Sequence, residues 1–169
     1  GPLAASWPWH ESIYKALVLL VIACPCALVI ATPATVVSAL ARAAQRKKDA
    51  PPLCLLAGGE TTVTITGTGR GGRNQEMALA AALALEKTEK VCALFAGTDG
   101  TDGPTDAAGG YAFASSVDGM GGREAARAFL RDNNSHAALG FSNDLFFTGP
   151  TRTNVMDLAV LLVDPALPA

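Results

Sequence analysis

The pattern of apolar and charged positions divides the chain into two parts. Residues 16–41 form an uncharged, mostly apolar run of 26 residues, and a helix of that length would measure about 39 Å, more than the roughly 30 Å hydrocarbon core of a bilayer. Aromatic residues precede the run and basic residues follow it, namely Trp7, Trp9, Tyr14, Arg42, Arg46, Lys47 and Lys48. Such flanks are typical of a membrane helix whose C-terminal side faces the cytoplasm. The pattern predicts a single hydrophobic, transmembrane-like helix; a buried helix of a soluble protein is the alternative.

Short apolar runs alternate with polar, glycine-rich turns after residue 52. Strands are predicted at residues 53–57, 61–66, 91–96, 145–148 and 158–163, because these runs are continuously apolar or rich in β-branched residues. Helices are predicted at residues 74–87 and 123–131, and residues 97–110 are predicted to form a long loop. This mixture indicates an α/β fold in which a sheet is flanked by helices.

Composition places the boundary between the two parts. Residues 1–50 contain one of the 17 glycines and five basic against two acidic residues, whereas residues 51–169 contain eight basic and thirteen acidic residues. We therefore predict a transmembrane-like segment at 1–46, a linker at 47–52, a domain at 53–164 and a tail at 165–169. Residues 47–169 would lie in the cytoplasm, anchored to the membrane through residues 16–41. The net charge of −2 argues against a nucleic-acid-binding protein, and the 50% apolar content excludes general disorder.

Cys24 and Cys26 flank Pro25 inside the apolar run. Proline interrupts helical hydrogen bonding, and two thiolates at such a point suit Cu(I) or Zn(II), although a cysteine pair can also simply pack. Residues 7–46 closely resemble the metal-binding transmembrane helix of heavy-metal-translocating P-type ATPases. The Asp-Lys-Thr-Gly-Thr phosphorylation motif of that family is absent from the sequence. Cys24 and Cys26 are therefore expected to form at most half of a soft-metal site.

A glycine-rich loop at residues 67–74 leads into the first helix of the second part. Glycines allow backbone N–H groups to turn toward a ligand, and a helix N-terminus favours an anion. Arg70 and Arg73 add forked donors that match a phosphate or carboxylate. The loop predicts an anion site; an ordinary connector is the alternative.

Three aspartates, Asp99, Asp102 and Asp106, follow the apolar run at 91–96. Such a loop can hold Mg²⁺ through one or two carboxylates and substrate oxygens, and a solvated acidic turn is the alternative. The polar turn at residues 148–154 is a weaker signal, because turns commonly contain such residues.

Residues 54–63, 71–76, 97–109 and 148–155 together resemble the C-terminal MOFRL domain of the glycerate 2-kinase family, over about residues 53–164. The resemblance implies ATP- and Mg²⁺-dependent transfer of a phosphoryl group to the 2-hydroxyl of D-glycerate. It also implies a cleft between this domain and a larger N-terminal α/β domain. The partners would be D-glycerate, ATP, and either the missing N-terminal domain or a second copy of the chain.

The resemblance further implies roles for individual residues. Catalytic roles fall on Arg73, Asp99 and Asp102, and Mg²⁺ ligation falls on Asp99, Asp102 and Asp106. Substrate or phosphate binding falls on Glu60, Gly71, Gly72, Asn74, Glu76, Thr98, Thr101, Asp106, Thr151 and Asn154.

Two departures from the family pattern bear on activity. Arg152 stands where the family turn is expected to carry glycine, and a pump-like segment stands where the larger N-terminal domain is expected. We therefore expect a fusion whose kinase-type domain is inert in isolation. Cys54 and Cys92 are expected to be buried free thiols, and His136 a surface or packing residue.

Overall fold

The computed structural model of the chain describes residues 51–164. The predicted membrane helix, the Cys24–Cys26 pair, most of the linker and the tail lie outside the described residues. Within residues 51–164, no helix combines the length and the apolar character that a membrane crossing requires.

The described residues form five strands and four helices. The strands are β1 (Leu53–Gly59), β2 (Val91–Gly97), β3 (Gly109–Phe113), β4 (Leu145–Phe146) and β5 (Asp157–Val163). The helices are α1 (Arg73–Leu85), α2 (Ser116–Gly119), α3 (Arg123–Arg131) and α4 (Ser135–Ser142). The α/β fold with a sheet flanked by helices is confirmed over these residues.

The strands form one antiparallel sheet in the order β1-β5-β2-β3-β4. β5 lies between β1 and β2, so that Leu161 is paired with Leu55 on one side and with Ala93 on the other. β1 and β2 therefore run parallel to each other, although they are not adjacent. Both end where β5 begins, because Asp157 is paired with Gly59 and with Gly97.

The core lies between the sheet and the helices. α1 packs across β2 and β3 and contacts α3 and α4. Its apolar side chains are buried against Val91 and Phe95 of β2 and against Leu139 of α4. Gly110 of β3 allows this close approach, since a Cβ there would lie 2.5 Å from a methyl carbon of Leu139.

The predicted strand at residues 61–66 is wrong, because these residues are irregular. The backbone N–H groups at the end of this segment are hydrogen-bonded to Asn133, just beyond the end of α3, instead of to a partner strand. The Asn133 side chain accepts hydrogen bonds from the backbone N–H groups of Thr66 and Gly67, at 2.8 and 2.9 Å. Side-chain acceptors can compete in this way with a β-ladder for the same donors.

Three short elements were not predicted, namely β3, α2 and α4. β3 begins with two glycines, and α2 and α4 have four and eight residues, so each is too short to show a periodic pattern. The expectation for the thiols is only partly met: Cys54 and Cys92 are free, but Cys54 is exposed and Cys92 half-buried.

Candidate anion-binding site

The candidate site lies at the end of the sheet where β1 and β2 finish and β5 starts. Glu60 follows β1 directly, Thr98 and Asp99 follow β2, and Asp157 opens β5. Two parallel strands, β1 and β2, thus end at this edge of the sheet. The sheet is antiparallel, however, so the strand between them contributes its first residue, Asp157.

Asp102 occupies the N-terminus of α1, where the sequence predicts a bound anion. Its Oδ1 accepts a hydrogen bond from the backbone N–H of Asn74 at 3.0 Å, and its Oδ2 accepts one from that of Gln75 at 2.8 Å. Gly72 at the N-cap position provides no side-chain cap, so the carboxylate from the aspartate loop performs this function.

Further contacts fix Asp102 in place. Its carboxylate also accepts hydrogen bonds from the side-chain amides of Asn74 and Gln75, at 3.2 and 3.0 Å, and the residue is 2% exposed. Its backbone carbonyl accepts from Thr105 Oγ1 at 2.8 Å. A carboxylate with four such donors is held inside the protein and turned toward the helix.

The glycine loop packs directly against the aspartate loop at Gly72 and against α4 at Gly71, because neither glycine has a side chain. A Cβ on Gly72 would lie 2.3 Å from Asp102 Cγ, and a Cβ on Gly71 would lie 2.1 Å from Ser135 Oγ. Gly103 adopts a left-handed φ of +61° with its Cα next to the backbone of Gly71. These glycines are thus required for packing, in addition to any role toward a ligand.

Arg73 is the one arginine of the glycine loop that the protein holds with an ion pair. Its Nε and Nη2 donate to the two carboxylate oxygens of Asp157 at 2.6 and 2.9 Å, a bidentate arrangement. Glu60 lies 3.6 Å from Nη1. The hydrogen bonds to Asp157 raise the pKa of Arg73 above its usual value, so the guanidinium remains charged at all relevant pH values.

A cavity of about 560 Å³ opens beside this arginine. Glu60, Arg73 and Glu76 supply its charged groups, and Gly69, Gly71, Gly72, Gly103 and Pro104 line it with backbone from both loops. Glu76 is held by Asn133, whose Nδ2 donates to it at 3.0 Å. A cavity of this size, with one fixed cation and the two carboxylates Glu60 and Glu76, suits a small ligand that offers both an anionic group and hydroxyl donors, or part of a larger one.

The remaining predicted residues form a second group, on the loops after β2 and before β5. Thr98 Oγ1 donates to the Met156 carbonyl at 2.7 Å, and the backbone N–H of Thr151 donates to the Asp99 carbonyl at 3.1 Å. Asp99 Oδ1 also accepts from the backbone N–H of Thr101 at 3.1 Å. This group, which includes the exposed Asn154, does not line the cavity described above.

Arg152 lies in this second group with a φ of +62°. The left-handed region favours glycine, which agrees with the expectation of glycine at this position. The arginine is exposed and therefore introduces backbone strain without steric conflict from a buried side chain.

The three aspartates are separated in the structure. Asp102 is buried beneath α1, Asp99 is half-buried near the 148–156 loop, and Asp106 is exposed. Across residues 51–164, no group of three or more His, Cys, Asp or Glu side chains is arranged to hold a metal ion. A Mg²⁺ site built from all three carboxylates therefore does not fit this arrangement, while a site using one of them with substrate oxygens stays a prediction.

Sequence reasoning missed Asp157 and Gln75. Gln75 is completely buried, and its Nε2 donates to Asp102 and to Thr105 Oγ1, while its Oε1 lies 2.9 Å from His136 Nδ1. Asp157 could have been noticed as an acidic residue opening an otherwise apolar strand. Gln75 carries no signal beyond its place in the first turn of a helix.

Comparison with known families matches residues 53–157 to the MOFRL family. The D-glycerate 2-kinase of Thermotoga maritima is 52% identical over 122 residues, which is 69% of this chain and 29% of that protein. The crystal structure of glycerate kinase from Thermotoga maritima is similar with a TM-score of 0.62 and 50% identity, covering 65% of this chain and 27% of that chain. The chain thus spans less than a third of the length of these relatives.

A second likeness is found on the N-terminal side. The zinc/cadmium/lead-transporting P-type ATPase of Escherichia coli is 60% identical over 45 residues, which is 27% of this chain and 6% of that protein. This partial likeness does not confirm a pump segment. The MOFRL match is much broader, because it contains every described element from β1 to β4 and the start of β5. The chain belongs to the MOFRL family.

Proposed function

We propose that residues 53–164 form one wall of a D-glycerate 2-kinase active site, which transfers a phosphoryl group from ATP to the 2-hydroxyl of D-glycerate with Mg²⁺. The observation that carries this proposal is the Arg73 guanidinium, which Asp157 holds at 2.6 and 2.9 Å beside a cavity of about 560 Å³. The choice of D-glycerate as substrate comes from the relatives, which are named D-glycerate 2-kinase and glycerate kinase.

The chemistry of the cavity agrees with this reaction. Phosphoryl transfer depends mainly on positioning and on neutralising negative charge, and a fixed guanidinium does both. The edge of Arg73 that Asp157 does not engage, with Nη1, can bind the carboxylate of D-glycerate or a phosphate oxygen. Glu60 and Glu76 can accept hydrogen bonds from hydroxyl groups of the ligand. Gly69, Gly71, Gly72 and Gly103 line the same cavity with backbone alone.

The chain spans 29% of the curated relative and 27% of the solved one. We infer that the other wall of the cleft comes from polypeptide outside the matched region or from a second copy. The described aspartates do not assemble a metal site, so Mg²⁺ would enter with the phosphates of ATP.

A coupled ADP-release assay with Mg-ATP and D-glycerate tests the proposal. The full chain alone is expected to show no turnover above background. Addition of the unmatched part of the Thermotoga maritima relative, produced as a separate chain, should restore turnover. Arg73→Ala should abolish that turnover and Arg70→Ala should retain it, because Arg70 is exposed and its Nε donates only to the Pro104 carbonyl at 3.0 Å. Equal rates for the two variants would contradict the proposal.

A second candidate function rests on the 45-residue likeness to the zinc/cadmium/lead-transporting ATPase. In this alternative the chain is a membrane fragment that binds a soft metal through Cys24 and Cys26. Detergent-solubilised chain would be titrated with Zn(II) or Cu(I), beside a double Cys24→Ser, Cys26→Ser variant. Equal metal binding by both proteins would exclude this alternative.

A further inference from the structure

Asp157 contacts two predicted site residues at the same time. Its Oδ2 accepts from Arg73 Nε at 2.6 Å, and its Oδ1 accepts both from Arg73 Nη2 at 2.9 Å and from Asn74 Nδ2 at 3.0 Å. The residue is 8% exposed. It is thus a buried carboxylate whose two oxygens are both engaged by neighbouring residues of α1.

The backbone around Asp157 is fixed from both sides. It opens the strand at the middle of the β1-β5-β2 arrangement and is paired with Gly59 on one side and Gly97 on the other. Because its backbone is paired on both sides, Asp157 cannot shift to follow the side chains that it binds. The sheet therefore determines where the Arg73 and Asn74 side chains are held.

For Arg73, the contact with Asp157 occupies one edge of the guanidinium and leaves the outer edge to a longer ion pair with Glu60. Nε and Nη2 are engaged by Asp157, and Nη1 lies 3.6 Å from the exposed carboxylate of Glu60. The side chain is 34% exposed and lines the cavity. A ligand in the cavity would therefore meet the outer edge, with Nη1, and share it with Glu60.

For Asn74, the contact fixes which way the side-chain amide is turned. Its Nδ2 donates to Asp157 at 3.0 Å and to Asp102 at 3.2 Å, so both amide hydrogens are used. Ionised carboxylates only accept hydrogen bonds, which excludes the flipped amide. Asn74 is 3% exposed and does not line the cavity, so this contact orders the first turn of α1 next to Arg73.

We propose that Asp157 is the positioning residue of this site: it fixes the Asn74 amide in the first turn of α1 and holds the Arg73 guanidinium beside the cavity, where its outer edge meets the anionic group of a ligand. The ligand class, a hydroxy acid, rests on the proposed function, whereas the positioning of the two side chains does not. Loss of the Asp157 charge releases the guanidinium and allows the Asn74 amide to turn.

The experiment uses the ¹⁵N-labelled full chain and two variants of the same chemical kind. Asp157→Asn removes the positioning carboxylate, and Asp144→Asn removes another buried carboxylate, which is 6% exposed. In the unmodified chain the Arg73 Nε–H signal should exchange slowly with water. It should exchange fast in Asp157→Asn and remain slow in Asp144→Asn.

Titration with D-glycerate and with pyruvate, which lacks the hydroxyl, measures the consequence for binding. We expect the unmodified chain to prefer D-glycerate, and Asp157→Asn to weaken D-glycerate binding by at least about tenfold, the equivalent of losing one charge-assisted hydrogen bond. Asp144→Asn should bind as the unmodified chain does. Asp157→Glu, which keeps the charge, should retain the slow Arg73 signal and most of the affinity.

Slow Arg73 exchange in Asp157→Asn, or equal weakening by Asp144→Asn, would overturn the positioning role. If Asp157→Asn does not fold, Asp157→Glu decides, because fast Arg73 exchange in that folded variant would contradict the role as well. Absence of binding of either acid to the unmodified chain would count against the proposed ligand class, while the Arg73 signals would still test the positioning.

Discussion

Replacement of Asp102 by alanine should destabilise the folded chain by about 2–4 kcal/mol, since loss of a helix cap costs about 0.5–2 kcal/mol and buried donors left unpaired cost about 1–3 kcal/mol. The Asp102 carboxylate accepts four hydrogen bonds, from the backbone and side-chain N–H groups of Asn74 and Gln75, and the residue is 2% exposed. Alanine leaves these buried donors without a partner, and α1 loses its cap. Since a domain of this size has about 5–15 kcal/mol of total stability, the loss is a large share of it.

Urea unfolding followed by circular dichroism measures this loss, with Asp106→Ala as the matched control. Asp106 belongs to the same loop but is exposed, so its removal should change the unfolding free energy by no more than about 0.5 kcal/mol. A loss below about 1 kcal/mol for Asp102→Ala would refute the capping role. It would instead favour the role that the resemblance implies, since residues kept for catalysis are commonly neutral or costly for stability.

Three further predictions follow from individual positions. Gly72→Ala should destabilise the chain by about 1–3 kcal/mol in the same unfolding assay, because its Cβ would lie 2.3 Å from the capping carboxyl carbon, whereas Gly140→Ala should not, because the nearest atom there is 3.8 Å away. Arg152→Gly should stabilise by about 1 kcal/mol by relieving the positive φ, and Arg152→Ala should show no such gain. Burial raises the pKa of the Cys92 thiol, so at pH 8 iodoacetamide should modify exposed Cys54 faster than Cys92, as measured by peptide mass spectrometry, and the Cys92 rate should rise with pH. Equal rates for the two thiols would contradict this last prediction.

The main elements of the fold could be predicted because their signals are local. Continuous apolar runs gave β1, β2 and β5, and an alanine- and leucine-rich stretch gave α1, each within a few residues of its observed bounds. The antiparallel order β1-β5-β2 could not be predicted, since β5 inserts between strands that precede it in the sequence. Pairing of this kind depends on distant packing, which no local pattern encodes.

The segments that form the candidate site could be predicted from the sequence, but the roles of individual residues in it could not. The glycine loop and the aspartate loop were each identified from the sequence, and residues of both line the cavity beside Arg73. The sequence could not show that Asp102 turns inward to cap α1, because an aspartate in a glycine-rich loop looks the same whether it faces a ligand or a helix. Asp157 was overlooked for a related reason: its partner Arg73 is 84 positions away in the chain.

Mapping of D-glycerate by amide chemical-shift changes in the full chain tests the central claim most directly, namely that the anion binds at the Arg73 cavity. The account predicts that the largest changes fall on Gly69, Gly71 and Arg73, which line the cavity, and disappear in Arg73→Ala. Changes confined to the 148–156 loop, or unaltered by Arg73→Ala, would contradict it.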